Sequence, residues 1–125
     1  MNPNIRHAYH EFRRMGYKAS FALDYARVED IARSLNLRCD FEPERERYED
    51  VFGDLDDHVE ETQRRIDDGT YDCMWGHVDD PATGETLASC GMFVAEPGSP
   101  DWRGFAADLL AESVSILRKR YEGTI

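Results

Sequence analysis

The chain has 125 residues, of which 41% are apolar, and it carries a formal net charge of −11 at pH 7. This length predicts a single domain, residues 1–125, with a core that needs no metal or disulfide. No apolar run reaches the roughly 18 residues of a membrane helix, and no signal peptide begins the chain, so we expect a cytoplasmic protein with no membrane partner. The negative charge disfavours direct binding to nucleic-acid phosphates.

Two helices are predicted at the start of the chain. Asn2 and Pro3 form a typical helix start, apolar residues follow at helical spacing, and Gly16 ends the run. A second amphipathic helix is expected over about residues 18–35, with an apolar stripe of Phe21, Tyr25, Val28, Ala32 and Leu35.

Changes in the spacing of apolar residues predict three strands and a final helix. The segment "LRCDFEP" alternates as a half-buried strand that Pro43 ends, and "TYDCMWGHV" and "TLASCGMFVA" flank a turn, "DDPATGE", as a hairpin. Ser99 and Pro100 open a helix to about residue 121 with a stripe of Trp102, Phe105, Leu109, Leu110, Val114, Leu117 and Tyr121. We expect these core residues to be buried: Phe41, Val59, Met92, Leu109 and Val114.

The middle third of the chain holds the excess of negative charge. Residues 40–80 carry sixteen acids and four bases, and the remaining helix is predicted there, with Asp54 as its cap and Gly69 as its stop. The preceding "ERERYED" is predicted as a charged connector. With this helix the order is ααβαββα, an α+β fold in which four helices pack on a small antiparallel sheet of about three strands.

The acids of this segment are either a solvated face that keeps the protein soluble or a binding surface. Asp67 and Asp68 favour the second interpretation, because negative charge at the carboxyl end of a helix opposes its dipole. Acids spaced along a helix could imitate nucleic-acid phosphates and occupy a partner's basic groove. The candidate partner-binding residues are Asp54, Asp56, Asp57, Glu60, Glu61, Asp67, Asp68, Glu42, Glu44 and Glu46.

The hairpin is a possible second interface, because both of its faces look apolar. Helices could cover both faces, or one face could be a dimer or partner surface. The sequence leaves the register of the two strands open. The candidate residues are Tyr71, Trp75, His77 and Phe93.

No catalytic or metal-binding motif is present, so we expect no enzyme activity and no cofactor. The three cysteines lack Cys-x-x-Cys spacing, which disfavours a disulfide framework and a zinc site. We expect three free thiols that pack as small apolar side chains.

The stretch "YDCMWGHVDDPATGETLASCGMFVAEPGSPDWRGFAADLLAE" is similar to the carboxyl half of a group of small uncharacterised proteins encoded by phages, prophages and plasmids, which share a "GE.LAS" strand after the turn. The segment "AYHEFRRMGYKASFALDYAR" resembles their helical start. The resemblance implies an origin on a mobile element and no catalytic residues. A small acidic protein of such an element is expected to inhibit a host defence protein that handles nucleic acid, as an anti-CRISPR or anti-restriction protein. There are two alternatives. The first is a homo-oligomeric assembly protein, for example a homodimer, that uses the hairpin, and the second is a small-molecule enzyme.

Overall fold

A computed structural model describes residues 2–123 and contains five helices and a three-stranded antiparallel sheet within that range. The elements are α1 (Pro3–Arg14), α2 (Ala19–Ser34), β1 (Arg38–Pro43), α3 (Tyr48–Phe52), α4 (Val59–Asp67), β2 (Asp72–Asp79), β3 (Thr86–Ala95) and α5 (Pro100–Gly123). The α+β class and the predicted order are therefore confirmed, except that two short helices stand where one was expected.

The first helix begins and ends as its sequence predicts. The side chain of Asn2 accepts a hydrogen bond from the backbone N–H of Asn4 at 2.8 Å, and Pro3 follows the cap. Gly16 has a φ of 96°, a left-handed conformation that glycine adopts without strain. The chain can therefore reverse there, and α1 packs against α2.

The three strands lie in the order β1–β2–β3, so β2 is central. Phe41 of β1 is opposite Gly76 of β2, and Met74 of β2 is opposite Phe93 of β3. Burial alternates along β2, with Met74, Gly76 and Val78 buried. One face of the sheet is therefore covered and the other is only half-buried.

Helices α2 and α5 pack on the covered face and enclose an aromatic core. The ring of Trp102 from α5 lies 5.6 Å from the ring of Phe21 and 5.4 Å from that of Phe41. Phe93 and Leu109 are also buried. The hairpin was expected to have helices on both faces or on one face only. In the structure, α2 and α5 cover one face of the hairpin and not both.

Several expected positions differ in the structure. Phe41 and Leu109 are buried as predicted, but Val59, Met92 and Val114 are only half-buried. Three residues of the predicted stripes, Leu35, Phe105 and Tyr121, are exposed. Leu35 and Tyr121 lie at or near the ends of α2 and α5, and Phe105 contacts Phe93, with ring centroids 4.7 Å apart, while the rest of its side chain stays open.

The predicted helix from Asp54 to Gly69 is wrong in its first part. The cap before α4 is His58, and the preceding residues form a loop. The segment predicted as a charged connector contains α3 instead. The backbone N–H of Glu49 in α3 donates to the side chain of Gln63 in α4 at 3.0 Å, so α3 is held by a tertiary contact.

Within residues 2–123, no helix is both long enough and apolar enough to cross a membrane.

Candidate functional site

The predicted acidic residues do not form one continuous face along a helix. Asp54, Asp56, Asp57, Glu60 and Glu61 lie in and just after the loop between α3 and α4, which we call the acidic loop (residues 53–61). Asp67 and Asp68 lie at the other end of α4. Glu42, Glu44 and Glu46 lie on or just after β1. Four acids of the first group, Asp56, Asp57, Glu60 and Glu61, line a concavity of about 510 Å³, and Asp54 lies outside it.

The acids at the end of α4 are engaged within the molecule. Asp67 accepts hydrogen bonds from Gln63 at 2.9 Å and from Arg47 at 3.2 Å. Asp68 accepts from both the hydroxyl and the backbone N–H of Thr70, which lower the pKa of its carboxyl. These local contacts are one explanation for negative charge at this helix end, and a binding role of Asp67 and Asp68 stays a prediction.

Asp56 also has a structural role, contrary to the expectation that it lies on a solvated face. It is half-buried and accepts hydrogen bonds from the hydroxyl of Tyr48 at 2.9 Å and from the backbone N–H of His58 at 2.8 Å. The N–H of His58 and then the hydroxyl of Tyr48 lower the pKa of Asp56. The contact fixes the start of the acidic loop against α3.

Three carboxylates of the acidic loop remain exposed without a hydrogen-bond or ion-pair partner among the described residues: Asp54, Asp57 and Glu60. Glu61 pairs with Arg65 at 3.0 Å. Leu55 follows Asp54 in sequence and is 81% exposed, and Val51 of α3 is also exposed. In the predicted helix from Asp54 to Gly69, Leu55 and Val59 would share one apolar stripe, but Leu55 lies in the loop before α4.

The hairpin candidates are divided between the two faces of the sheet. Phe93 lies in the core opposite Met74, whereas Trp75 and His77 lie on the half-buried face, which we call the outer sheet face. Tyr71 precedes β2, and its hydroxyl accepts a hydrogen bond from Arg65 at 2.9 Å. The four residues therefore do not form one surface.

His77 occupies a charged cluster on the outer sheet face. Its Nδ1 lies 2.9 Å from Asp79 Oδ1, and its Nε2 lies 3.6 Å from Asp40 Oδ2. Burial acts to raise the pKa of Asp79, but the hydroxyl of Thr86, His77 and Arg38 outweigh it and hold this pKa below its usual value. Both ring nitrogens of His77 thus face carboxylates, and these contacts fix the orientation of the ring.

The three cysteines are free thiols in the structure. Burial raises the pKa of Cys39 to about 12 and that of Cys73 to about 11, and it also raises the pKa of Cys90. Such thiols are largely protonated at neutral pH, which makes them poor nucleophiles. Among the described residues, no three His, Cys, Asp or Glu side chains lie close enough together to hold a metal ion.

Comparison of the chain with protein-family models, with curated proteins and with solved structures found no match.

Proposed function

We propose that this protein binds another protein through the acidic loop, and that the partner presents a basic surface with an apolar pocket. The observation that carries the proposal is the exposed side chain of Leu55 in a loop segment whose neighbours in sequence include the exposed acids Asp54 and Asp57. Protein interfaces commonly combine a central apolar anchor with a polar rim. A leucine that is 81% exposed contributes little to folding, so its place among acids is better explained by a partner.

The expected partner is a host protein that handles nucleic acid. Residues 40–80 concentrate sixteen acids against four bases, and a basic groove that binds phosphates is complementary to such a segment. The carboxylates that support this proposal are those of Asp54, Asp57 and Glu60. Inhibition of a defence protein, of the anti-CRISPR or anti-restriction type, is the finer proposal, and it rests on the resemblance to proteins of mobile elements.

The test is to capture the partner from a host lysate and to measure its affinity for a triple variant, Asp54→Lys, Asp57→Lys and Glu60→Lys. We expect a loss of about 100-fold or more, because like charges would then face the partner's basic surface. The matched control reverses Asp101, Asp108 and Glu112, three exposed acids of α5, with the same change in net charge. An equal loss in both variants would mean that only overall charge matters.

Leu55→Ala separates the apolar anchor from the charges. We expect it to weaken binding about tenfold or more, and to change the free energy of unfolding by less than about 0.5 kcal/mol. A competing DNA duplex should displace the protein if the partner's groove binds nucleic acid. Unchanged affinity of both the triple variant and Leu55→Ala would reject the acidic loop as the binding surface.

A second candidate function is self-assembly through the outer sheet face. Trp75 and Met92 are half-buried on this face, opposite the face on which α2 and α5 pack. Light scattering distinguishes this candidate, because a salt-insensitive dimer that Trp75→Arg dissociates would favour it. A monomer at all concentrations would leave the acidic loop as the candidate.

A further inference from the structure

A groove between α2 and α5, on the side of these helices away from the sheet, is lined mainly by apolar side chains. Its volume is about 420 Å³. Val28, Ala106 and Leu110 form a buried floor. Ile31 and Leu35 line the α2 side and are 48% and 42% exposed. Large apolar side chains with this exposure gain free energy when a ligand covers them.

The α5 side of the groove has small side chains and carries only positive charge. Ala107 and Ala111 line it and are exposed, so a ligand can lie against the backbone of α5. The charged residues of the lining are Arg103 and Arg118, and no carboxylate belongs to it. In a molecule of net charge −11, a lining with arginines and no acids is selective for an anion.

The two arginines differ in their surroundings. Arg103 is near enough to the buried carboxyl of Asp24 to oppose the rise in its pKa that burial causes, so Arg103 already has a carboxyl nearby. Arg118 forms no ion pair with any residue of the described range, and its side chain is exposed. Arg118 is therefore the better site for a carboxylate or phosphate.

We propose that this groove binds the acyl chain of an anionic single-chain amphiphile, with the headgroup on Arg118 and the chain directed towards Arg103. The two arginines are fifteen positions apart in α5, or about 22 Å along the helix axis. One acyl chain spans about half of the roughly 30 Å hydrocarbon core of a bilayer, so it fits between them. The volume lies within the usual range for small-molecule sites. A partner's helix would not fit in the groove, because a helix of the same length and about 10 Å in diameter has several times its volume.

The experiment is isothermal titration of the full chain with dodecanoate below its critical micelle concentration, and with dodecylammonium as the ligand of opposite charge. We expect dodecanoate to bind with a Kd on the order of 1 mM or tighter, because a myristoyl chain enters a membrane with a Kd of about 100 µM and is two methylenes longer. Dodecylammonium should bind at least about tenfold more weakly, because charge-assisted pairing with Arg118 is replaced by repulsion.

Two matched variants test the geometry. Arg118→Gln should weaken dodecanoate binding about tenfold, whereas Lys119→Gln removes the same charge one residue away, outside the groove, and should change binding little. Ala111→Phe should abolish binding by filling the groove, and circular dichroism shows whether that variant stays folded.

Three results of the titrations would overturn the proposal. They are the absence of saturable binding, equal binding of the two ligands, and equal effects of Arg118→Gln and Lys119→Gln. A dimer in light scattering that Ala111→Phe dissociates would also overturn it, because a second copy of the chain would then cover the groove.

Discussion

Asp24 is a buried acid whose charge is poorly compensated. It lies in α2 with 1% of its surface exposed, and its Oδ2 accepts a hydrogen bond from the backbone N–H of Gly98 at 2.7 Å. Its Oδ1 has no hydrogen-bond partner in the described chain. Burial and the nearby carboxyl of Asp72 raise the pKa of Asp24, although Gly98, Arg27 and Arg103 oppose this. The ionised form is therefore less stable in the folded protein than in the unfolded chain.

The raised pKa predicts how the variant Asp24→Asn depends on pH. The contribution of Asp24 to stability is fully present below its unfolded pKa, near 3.8, and is lost as the pH rises through its higher folded pKa. Asparagine keeps the acceptor for Gly98 and does not ionise. We therefore expect the stability of Asp24→Asn, relative to the natural chain, to increase between pH 4 and pH 7.

Urea unfolding of both chains across this pH range measures the difference directly. Taking the difference cancels the opposite trend of Asp56, Asp68, Asp79 and Glu85, whose pKa values are lowered in the folded protein. A difference that stays constant or falls towards neutral pH would show that Asp24 has no raised pKa.

At the scale of elements, the sheet depends on the absence of a side chain at Gly76. A Cβ at this position would lie 2.3 Å from an atom of the Phe41 ring, which is fully buried against Trp102. We expect Gly76→Ala to destabilise the fold by about 1–3 kcal/mol or more, because the ring cannot move without displacing its neighbours.

Gly91 of β3 provides the matched control for this prediction. A Cβ at Gly91 would meet nothing within 4 Å, so Gly91→Ala is expected to be neutral or slightly stabilising. Thermal unfolding of the two variants checks the difference. Equal melting temperatures would contradict the packing of β1 against β2 described above.

Most elements could be predicted from the sequence because their apolar period is strong. The helices α1, α2 and α5 and the three strands have clear stripes or alternation, and their bounds agree with the structure to within a few residues. The apolar stripe of α4 is also clear, but it does not show where this helix begins. The geometry of the α3–α4 region depends on contacts between distant residues, such as Tyr48 with Asp56 and Gln63 with Glu49, which no local pattern reveals.

The candidate site was only partly predictable for the same reason. The sequence identified the acidic segment, but the engagement of Asp67 by Arg47 joins residues twenty positions apart. The register of the two strands determines which side chains of the hairpin lie on its half-buried face. Phe93 lies on the core side because it pairs with Met74. The groove between α2 and α5 combines two helices that are distant in sequence, so only the fold brings Ile31 near Ala107.

At the scale of the whole molecule, uneven charge is the main feature that folding must accommodate. The exposed ion pairs, such as Arg65 with Glu61 and Arg120 with Glu85, neutralise some acids locally. Pairs of this kind contribute little to stability in water. Most of the net charge of −11 therefore remains as repulsion on the folded surface, strongest around the acidic loop.

This balance predicts that sodium chloride stabilises the protein. Raising its concentration from about 0.02 M to about 0.5 M shortens the screening length to a few ångströms, which weakens repulsion across the surface more than contact between paired side chains. We expect the melting temperature to rise, by roughly 3–6 °C for each kcal/mol of repulsion that is removed. Sodium chloride is preferable to sulfate, which also strengthens apolar burial.

The triple variant Asp54→Lys, Asp57→Lys and Glu60→Lys tests whether repulsion is the cause. Each reversal changes the charge by two, so the net charge moves from −11 to −5. The variant should melt at a higher temperature in low salt, and added salt should raise its melting temperature less than that of the natural chain. A melting temperature that falls with salt in the natural chain would mean that the ion pairs outweigh the repulsion. The acidic loop would then be part of the stabilising charge pattern and a weaker candidate for binding.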